Sequence, residues 1–500
     1  MIIKVILLIV FFATMIGVGI YSRKYAVNVS GFVLGGRSVG PWLTAFAYGT
    51  SYFSAVVFVG YAGQFGYKYG LSATWIGIGN AVIGSLLAWL ILGKRTRVMT
   101  KHIHAATMPD YFGKRYDSNT LKIAASVIAF VFLIPYTASV YNGLSRLFEM
   151  AFDVPYTVCV IVMAALTCVY VILGGYMATA INDLIQGIIM IFGIIAVIVA
   201  VLNGQGGFMN AIFQLSELES DIPVTLGQKG AFASFFGPDP INLLGVVVLT
   251  SLGTWGLPQM IHKFYAIKDE KSVKAGTIIS TIFAIIISGG CYFLGGFGRL
   301  FDSPQIYNAD GGIVYDAIIP AMLQNLPDIL IGVIIMLVLS ASMSTLSSLV
   351  LTSSSTLTLD VIKGHIIKNM DDKKQLLVMR SFLVIFVVLS VILAINPPTF
   401  IAQLMGISWG ALAGAFLAPF LYGLYWKRVT KAAVWASFAC GVGITVSNIF
   451  LKYIASPINA GAIAMIAGLI VVPVVSLITP RPQKEKVEKI FACYNQKELD

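Results

Sequence analysis

The chain has 500 residues, 58% hydrophobic and only 11% charged, with a mean hydropathy of +0.87. Soluble globular proteins carry about 25% charged residues, so the composition excludes a soluble enzyme, a nucleic-acid binder and a disordered chain, and places the protein in a bilayer. The net charge of +11 then calls for a membrane explanation: basic residues gathered in cytoplasmic loops.

An apolar run of about 20 residues crosses the hydrocarbon as a helix. In chain order, thirteen segments qualify: 2–22, 40–66, 70–93, 121–150, 155–174, 178–202, 241–263, 273–299, 327–360, 376–395, 398–425, 430–453 and 459–479. The first reads as a retained span, because only Lys4 supplies a basic flank and no A-x-A cleavage site follows. Segments 203–239 and 300–326 are too polar to cross and read as loops. With the N-terminus outside, 27 of the 33 Lys and Arg fall on the inner side. Only Lys4, Lys68, Arg146, Lys229, Arg299 and Lys452 do not, so the tail 480–500 is expected in the cytoplasm. No segment outside the spans exceeds about 40 residues, which leaves one transmembrane domain over 1–500 and no output module. Cys159, Cys168, Cys291, Cys440 and Cys493 are an odd set without close spacing and are expected to be free fillers.

Two spans are interrupted. Span 40–66 contains Gly49-Thr50-Ser51-Tyr52-Phe53-Ser54, and span 241–263 contains Gly253-Thr254-Trp255-Gly256-Leu257-Pro258. Gly and Pro also help membrane helices pack, but counting from the second span these are the first and sixth helices. They are therefore matched positions in two five-helix halves, the mark of an inverted repeat with a binding site at the breaks. Pro258 lacks a backbone N–H, so carbonyls near it are freed for a ligand.

Span 327–360 is rich in hydroxyls, from Ser340 to Ser348 and again from Thr352 to Thr356. Helical spacing puts Ala341, Ser344, Thr345 and Ser348 on one face. A hard cation such as sodium takes several oxygen ligands. Ser344 and Thr345 would give hydroxyls, Ala341 a carbonyl, and the first break the carbonyls of Thr50 and Phe53. The competing reading is that membrane Ser and Thr bond back to their own helix. Asp183 lies inside an apolar span, where charge is costly and usually functional; its rival reading is an interfacial cap. Arg146 and Glu149, at i and i+3, are expected to pair locally. His102 and His104 lack further metal ligands, and no P-loop, nucleophile elbow or H-E-x-x-H occurs, so neither a metal centre nor an enzyme activity is expected.

Several of these residues resemble a known family. Leu34-Gly35-Gly36-Arg37-Ser38-Val39-Gly40-Pro41, Pro109-Asp110-Tyr111-Phe112 with Arg115, Gly174-Gly175-Tyr176 with Asn182, Asp183 and Gln186, Gly256-Leu257-Pro258, and Met343-Ser344-Thr345-Leu346-Ser347 are together similar to the motifs of sodium/solute symporters. The resemblance implies an all-α membrane protein of thirteen helices with a LeuT-type core. One extra helix (2–22) precedes two inverted five-helix repeats (40–202 and 241–425), and two helices (430–479) follow. It implies sodium bound by Thr50, Phe53, Ala341, Ser344 and Thr345, and in some members a second sodium, matched here by Asp183, Ser344, Ser347 and Ser348. Solute would bind between the breaks at Tyr52, Ser54, Thr254, Trp255 and Pro258. The partners are then sodium, a small solute and the lipid of the plasma membrane, with no organic cofactor and no nucleic acid.

Within the family the chain resembles the proline and pantothenate branch. Proline transporters carry an Asp where Tyr52 aligns, and Thr250 and Thr254 stand at their aromatic and polar positions, while Tyr67-Lys68-Tyr69-Gly70-Leu71 looks closer to pantothenate-like members. The expected function is sodium-coupled import of a pantothenate- or proline-like solute by alternating access. The alternatives are a proton-coupled transporter of the same fold using Asp183, a solute sensor, and a channel, for which no selectivity motif is present.

Overall fold

In a bilayer a backbone amide finds no water, so each spanning segment must satisfy its own hydrogen bonds. A computed structural model describes residues 2–152, 154–367 and 370–495, without the side chains of 2–4, 364 and 365. Lys368 and Lys497, used above for orientation, lie outside the described residues, as does the side chain of Lys4. The protein is all-helical, and the described residues pair as strands only at isolated bridges. Its most lipid-like surface is apolar: Ile241 is 84% exposed and Phe450 78%.

Eleven helices among the described residues are long and apolar enough to cross a membrane. Two of them, Val56–His102 and Tyr156–Gly204, have 47 and 49 residues, about twice what one crossing needs. Each turns at a glycine with positive φ, Gly70 at +61° and Gly175 at +55°. Each therefore divides into two segments at its glycine. A side chain at Gly175 would also meet the Phe32 carbonyl oxygen at 2.7 Å, so only glycine fits this bend. Asp183 sits two turns beyond it.

Both expected interruptions are present. Pro41–Tyr52 is a helix that stops at Phe53, whose backbone is extended, and helix resumes after Ser54 as a π-turn, Val56–Tyr61. Pro240–Leu252 gives way to a 3-10 turn, Gly253–Trp255; Leu257 is extended and Pro258 opens the next helix, Pro258–Tyr265. Pro at the first helical position loses no bond, because that N–H has no intrahelical partner anyway.

Burial separates centre from periphery. The serine-rich helix of 328–363 is 78% buried over its most apolar window and Ile401–Tyr425 is 89% buried, against 22% for the first helix. The serine-rich helix packs on Tyr156–Gly204, on Asn119–Phe152 and on the Pro41–Tyr52 half-helix. Small residues permit the closest approaches: a Cβ on Gly66 would fall 2.1 Å from the Gly295 backbone.

The segments read as loops are only partly so. Phe208–Glu217 and Ile318–Leu323 are short helices on one end of the bundle, and Lys484–Phe491 is a helix in the tail. Being too polar to cross did not stop them forming amphipathic turns. Arg146 and Glu149 pair at 3.5 Å on the surface, as the i, i+3 spacing implies. Cys159, Cys291 and Cys493 are buried and all five cysteines are free.

Gly175→Ala is expected to destabilise the protein by about 1–3 kcal/mol, the usual cost of a forced backbone conformation. Gly17→Ala, where the added methyl has no neighbour within 4 Å, is expected to change nothing. Thermal unfolding in detergent compares them.

Candidate functional site

A helix that stops mid-membrane leaves carbonyls without amide partners, and these must be answered by side chains. At the first break the answer comes from the serine-rich helix. The Ser344 hydroxyl lies 3.1 Å from the Thr50 carbonyl oxygen and 3.1 Å from that of Ala341. The Thr345 hydroxyl lies 3.3 Å from Thr50 O, 3.5 Å from Ser51 O and 3.1 Å from Ala341 O. Five oxygens, three carbonyl and two hydroxyl, thus meet in a fully buried place with no nitrogen or sulfur among them. A hard cation keeps its oxygens at roughly 2.4 Å, and ligands at right angles are then about 3.4 Å apart. The separations fit that cage.

Four of the five residues expected here, Thr50, Ala341, Ser344 and Thr345, are brought together. The fifth is Phe53, and the third carbonyl that the Thr345 hydroxyl reaches is that of Ser51. Neither hydroxyl bonds to the Phe53 carbonyl, and the Phe53 ring stacks on Tyr52 at 4.3 Å between centroids. A break reads as a stretch of sequence, and which of its carbonyls turns inward depends on the φ/ψ of Phe53, which no pattern encodes.

The second break lies against the first through one glycine. The Tyr48 hydroxyl donates to the Gly84 carbonyl at 2.7 Å, and the Thr254 hydroxyl donates to the same oxygen at 3.2 Å. Trp255 Nε1 donates to the Ile83 carbonyl at 3.0 Å, and the Tyr52 hydroxyl to the Thr250 carbonyl at 2.6 Å. Of the residues expected to hold solute, Tyr52, Thr254 and Trp255 therefore share one wall. Ser54 caps the restart of the first helix, accepting from Val56 N at 3.2 Å, and Pro258 begins the half-helix beyond the second break. The space beside Phe53, Ser54 and Ala341 is about 10 Å³, room for one water at most.

Sequence reading missed several polar groups here. Tyr61, Tyr136 and Tyr292 have buried hydroxyls, and Trp409 a buried ring N–H, without partners among the described residues. The Trp409 ring packs edge-on against Tyr136 at 5.8 Å and lies 6.2 Å from Tyr52. An aromatic in an apolar run looks like filler, so no signal marked them.

Asp183 is no cap: it is fully buried in mid-helix, and Thr179 bonds back to Tyr176. Its neighbour is the Lys263 ammonium, 3.8 Å away, which also donates to Ser348 Oγ at 2.8 Å. Ser348 shares a 2.7 Å hydrogen bond with Ser51 of the first break. Of the group Asp183, Ser344, Ser347 and Ser348, only Asp183 and Ser348 meet at this ammonium. Ser347 donates to the Ser344 carbonyl.

One end of the bundle is bolted shut. Gly35, Gly36 and Arg37 are three successive left-handed residues, a hook that aims the Arg37 guanidinium at the carbonyls of Tyr265 (3.0 Å) and Ala105 (2.5 Å). Val39 exchanges backbone bonds with Ala266 and Lys268, and Arg97 donates to the carbonyls of Ile267 and Lys268. Asp110 pairs with Lys114 and Lys122 at 2.8 Å each, and Lys122 reaches Asp360 at 3.2 Å. Burial pushes the Asp110 carboxyl up, but the two ammoniums outweigh it and hold it below the ordinary carboxylate range. Its contribution is therefore complete above about pH 4 and is lost as pH falls through its lowered value. Asp110→Asn is expected to cost about 1–2 kcal/mol in thermal unfolding, discounted for the partly exposed lysines.

Comparison with known proteins agrees with this architecture. Residues 32–441 match the model of the sodium:solute symporter family. The sodium/proline symporter of Staphylococcus aureus is 30% identical over 497 residues, 96% of this chain and 93% of that protein. The osmoregulated proline transporter OpuE of Bacillus subtilis is 28% identical over 491 residues, 95% of this chain and 94% of its own. Among solved structures, a sodium-coupled sialic acid symporter in a substrate-bound, outward-open state superposes with a TM-score of 0.76 at 16% identity, covering 96% of this chain and 99% of that one. The nucleobase-cation-symport-1 transporter Mhp1, closed around bromovinylhydantoin, gives 0.53 at 11% identity over 92% and 98%. These neighbours share the LeuT-type fold.

Proposed function

This chain belongs to the sodium:solute symporter family, and from that premise we propose that it imports a small carboxylate-bearing solute, proline first and pantothenate second, together with sodium. That it is a sodium-coupled membrane symporter follows from the family and its relatives. The solute, the ion ligands and the orientation are the further steps. Relatives of near full length named for proline favour proline over pantothenate, even with Tyr52 at the acidic position.

The observation that carries the ion site is the convergence of Thr50, Ser51, Ala341, Ser344 and Thr345 oxygens across a helix break. Sodium arriving there would take the carbonyl lone pairs to which the two hydroxyls now donate, and the hydroxyls would rotate to present lone pairs of their own. It would tie the first broken helix to the serine-rich helix and so order the adjoining wall of Tyr52, Ser54, Thr254 and Trp255, with Pro258 beyond it. Solute binding there would meet the unpartnered groups of Tyr136 and Trp409, relieving the cost of buried polar atoms without partners. The basic end, with Arg37, Arg97 and Asp110, is taken as cytoplasmic and the N-terminus as external, which makes the described state closed to the inside. One sodium carried through 100 mV supplies about 2.3 kcal/mol, roughly a fifty-fold accumulation of a neutral or zwitterionic solute, before the concentration gradient is added.

Uptake of radiolabelled proline and pantothenate into proteoliposomes tests this. Sodium-dependent uptake is expected to need about 10–150-fold more sodium in Thr345→Ala, the loss of one charged-group contact of about 1.5–3 kcal/mol. Uptake driven equally by a proton gradient without sodium overturns the ion site and returns attention to Asp183. Tyr136→Phe is expected to raise the KM for solute about 2–13-fold at unchanged sodium affinity, as befits one lost hydrogen bond of about 0.5–1.5 kcal/mol. An unchanged KM removes Tyr136 from the pocket.

A further inference from the structure

Lys263 looks in sequence like one more loop charge. In the structure it is 2% exposed, on the half-helix that follows the second break. Its ammonium lies 2.8 Å from Ser348 Oγ, 3.8 Å from Asp183 Oδ2 and 5.4 Å from the centre of the Tyr176 ring. Because Lys263 donates to Ser348, the Ser348 hydroxyl is free to donate onward to Ser51. The second broken helix, the Asp183 helix and the serine-rich helix meet at this one positive charge, and Ser348 links it onward to the first broken helix.

A buried carboxylate needs a cation nearby, and a buried ammonium needs acceptors. Neither Asp183 oxygen has a hydrogen-bond partner among the described residues, so its counter-charge is Lys263. The hydroxyls of Ser344 and Ser347, which would complete a second sodium site with Asp183 and Ser348, are turned instead to carbonyls of the first break and of their own helix.

We propose that Lys263 is a resident cation: its ammonium holds the place between Asp183 and Ser348 where a second sodium would sit, so that one sodium crosses per solute and the protein itself carries the other positive charge. This rests on the sodium reading above. The ammonium has the charge of sodium and, like it, is held by oxygen. It differs in being tethered, because it moves only with the Pro258–Tyr265 half-helix. That half-helix ends at Tyr265, whose carbonyl Arg37 holds, so the pair links the bolt at the basic end to the ion site through Ser348 and Ser51.

The test counts sodium-22 bound at saturation by the purified full chain in detergent. The wild type is expected to bind one ion per chain, and Thr345→Ala to lose it in the concentration range where wild type saturates. Lys263→Ala removes the tethered charge and is expected to bind two ions, the second disappearing in the Lys263→Ala, Asp183→Asn double variant. Two ions in the wild type, or one in a folded Lys263→Ala, overturns the resident cation while leaving the first site standing. Sodium binding that Thr345→Ala leaves unchanged instead overturns the first site. Should Lys263→Ala not fold, the wild-type count decides, one ion supporting the proposal and two refuting it.

Discussion

Everything at the centre of this protein depends on what becomes of the carbonyls at the first break. A continuous helix would have bonded them internally; interrupted at Phe53, it leaves the Thr50 and Ser51 carbonyls to Ser344 and Thr345. In lipid an unanswered carbonyl costs several kcal/mol, so the hydroxyls are structural before they are functional. On the sodium reading proposed above, the same arrangement would make an ion site at little extra cost. Hydroxyls that satisfy carbonyls in one state can rotate and present lone pairs in another, and a cation exchanges one set of contacts for the other. The serine-rich helix is accordingly among the most buried in the molecule and packs against both halves of the chain.

The second break is handled differently. Its polar side chains turn to the carbonyls of Ile83 and Gly84, and Gly84 is small because the Tyr52 hydroxyl fills the place of a side chain there. The two breaks are thus joined by Tyr52, which lies on the first and bonds to Thr250 on the second. An uncharged hydroxyl can seal the two helices in a way a carboxylate, which has no proton to donate, would not.

Much of this was legible in the sequence. Composition fixed the medium, apolar run lengths the helices, and Gly, Pro and hydroxyl clusters the breaks. Three-and-four spacing put Ala341, Ser344 and Thr345 on one face, the break pointed to Thr50, and the structure brings these oxygens together. Three things were hidden, each for a physical reason. That the Ser51 carbonyl lies against Thr345 could not be read, because backbone direction at a break is set by packing. Tyr136 and Trp409 were missed because a buried polar atom without a partner is a property of its surroundings. Lys263 reads as an inner-side charge because it ends span 241–263, five residues before Lys268, and only the fold shows Asp183 beside it.

The hook of Gly35, Gly36 and Arg37 has a consequence for how such a machine can open. Arg37 precedes the first broken helix in the chain and grips the last carbonyl of the half-helix after the second, with Val39 stitched beside it. The two half-helices at that end are thereby one latch with two hinges. Neither can swing alone without releasing several bonds at once, so partial opening is penalised and the passage is either shut or fully released. For a carrier that must never connect its two sides, all-or-none release guards against leakage of the gradient that drives it.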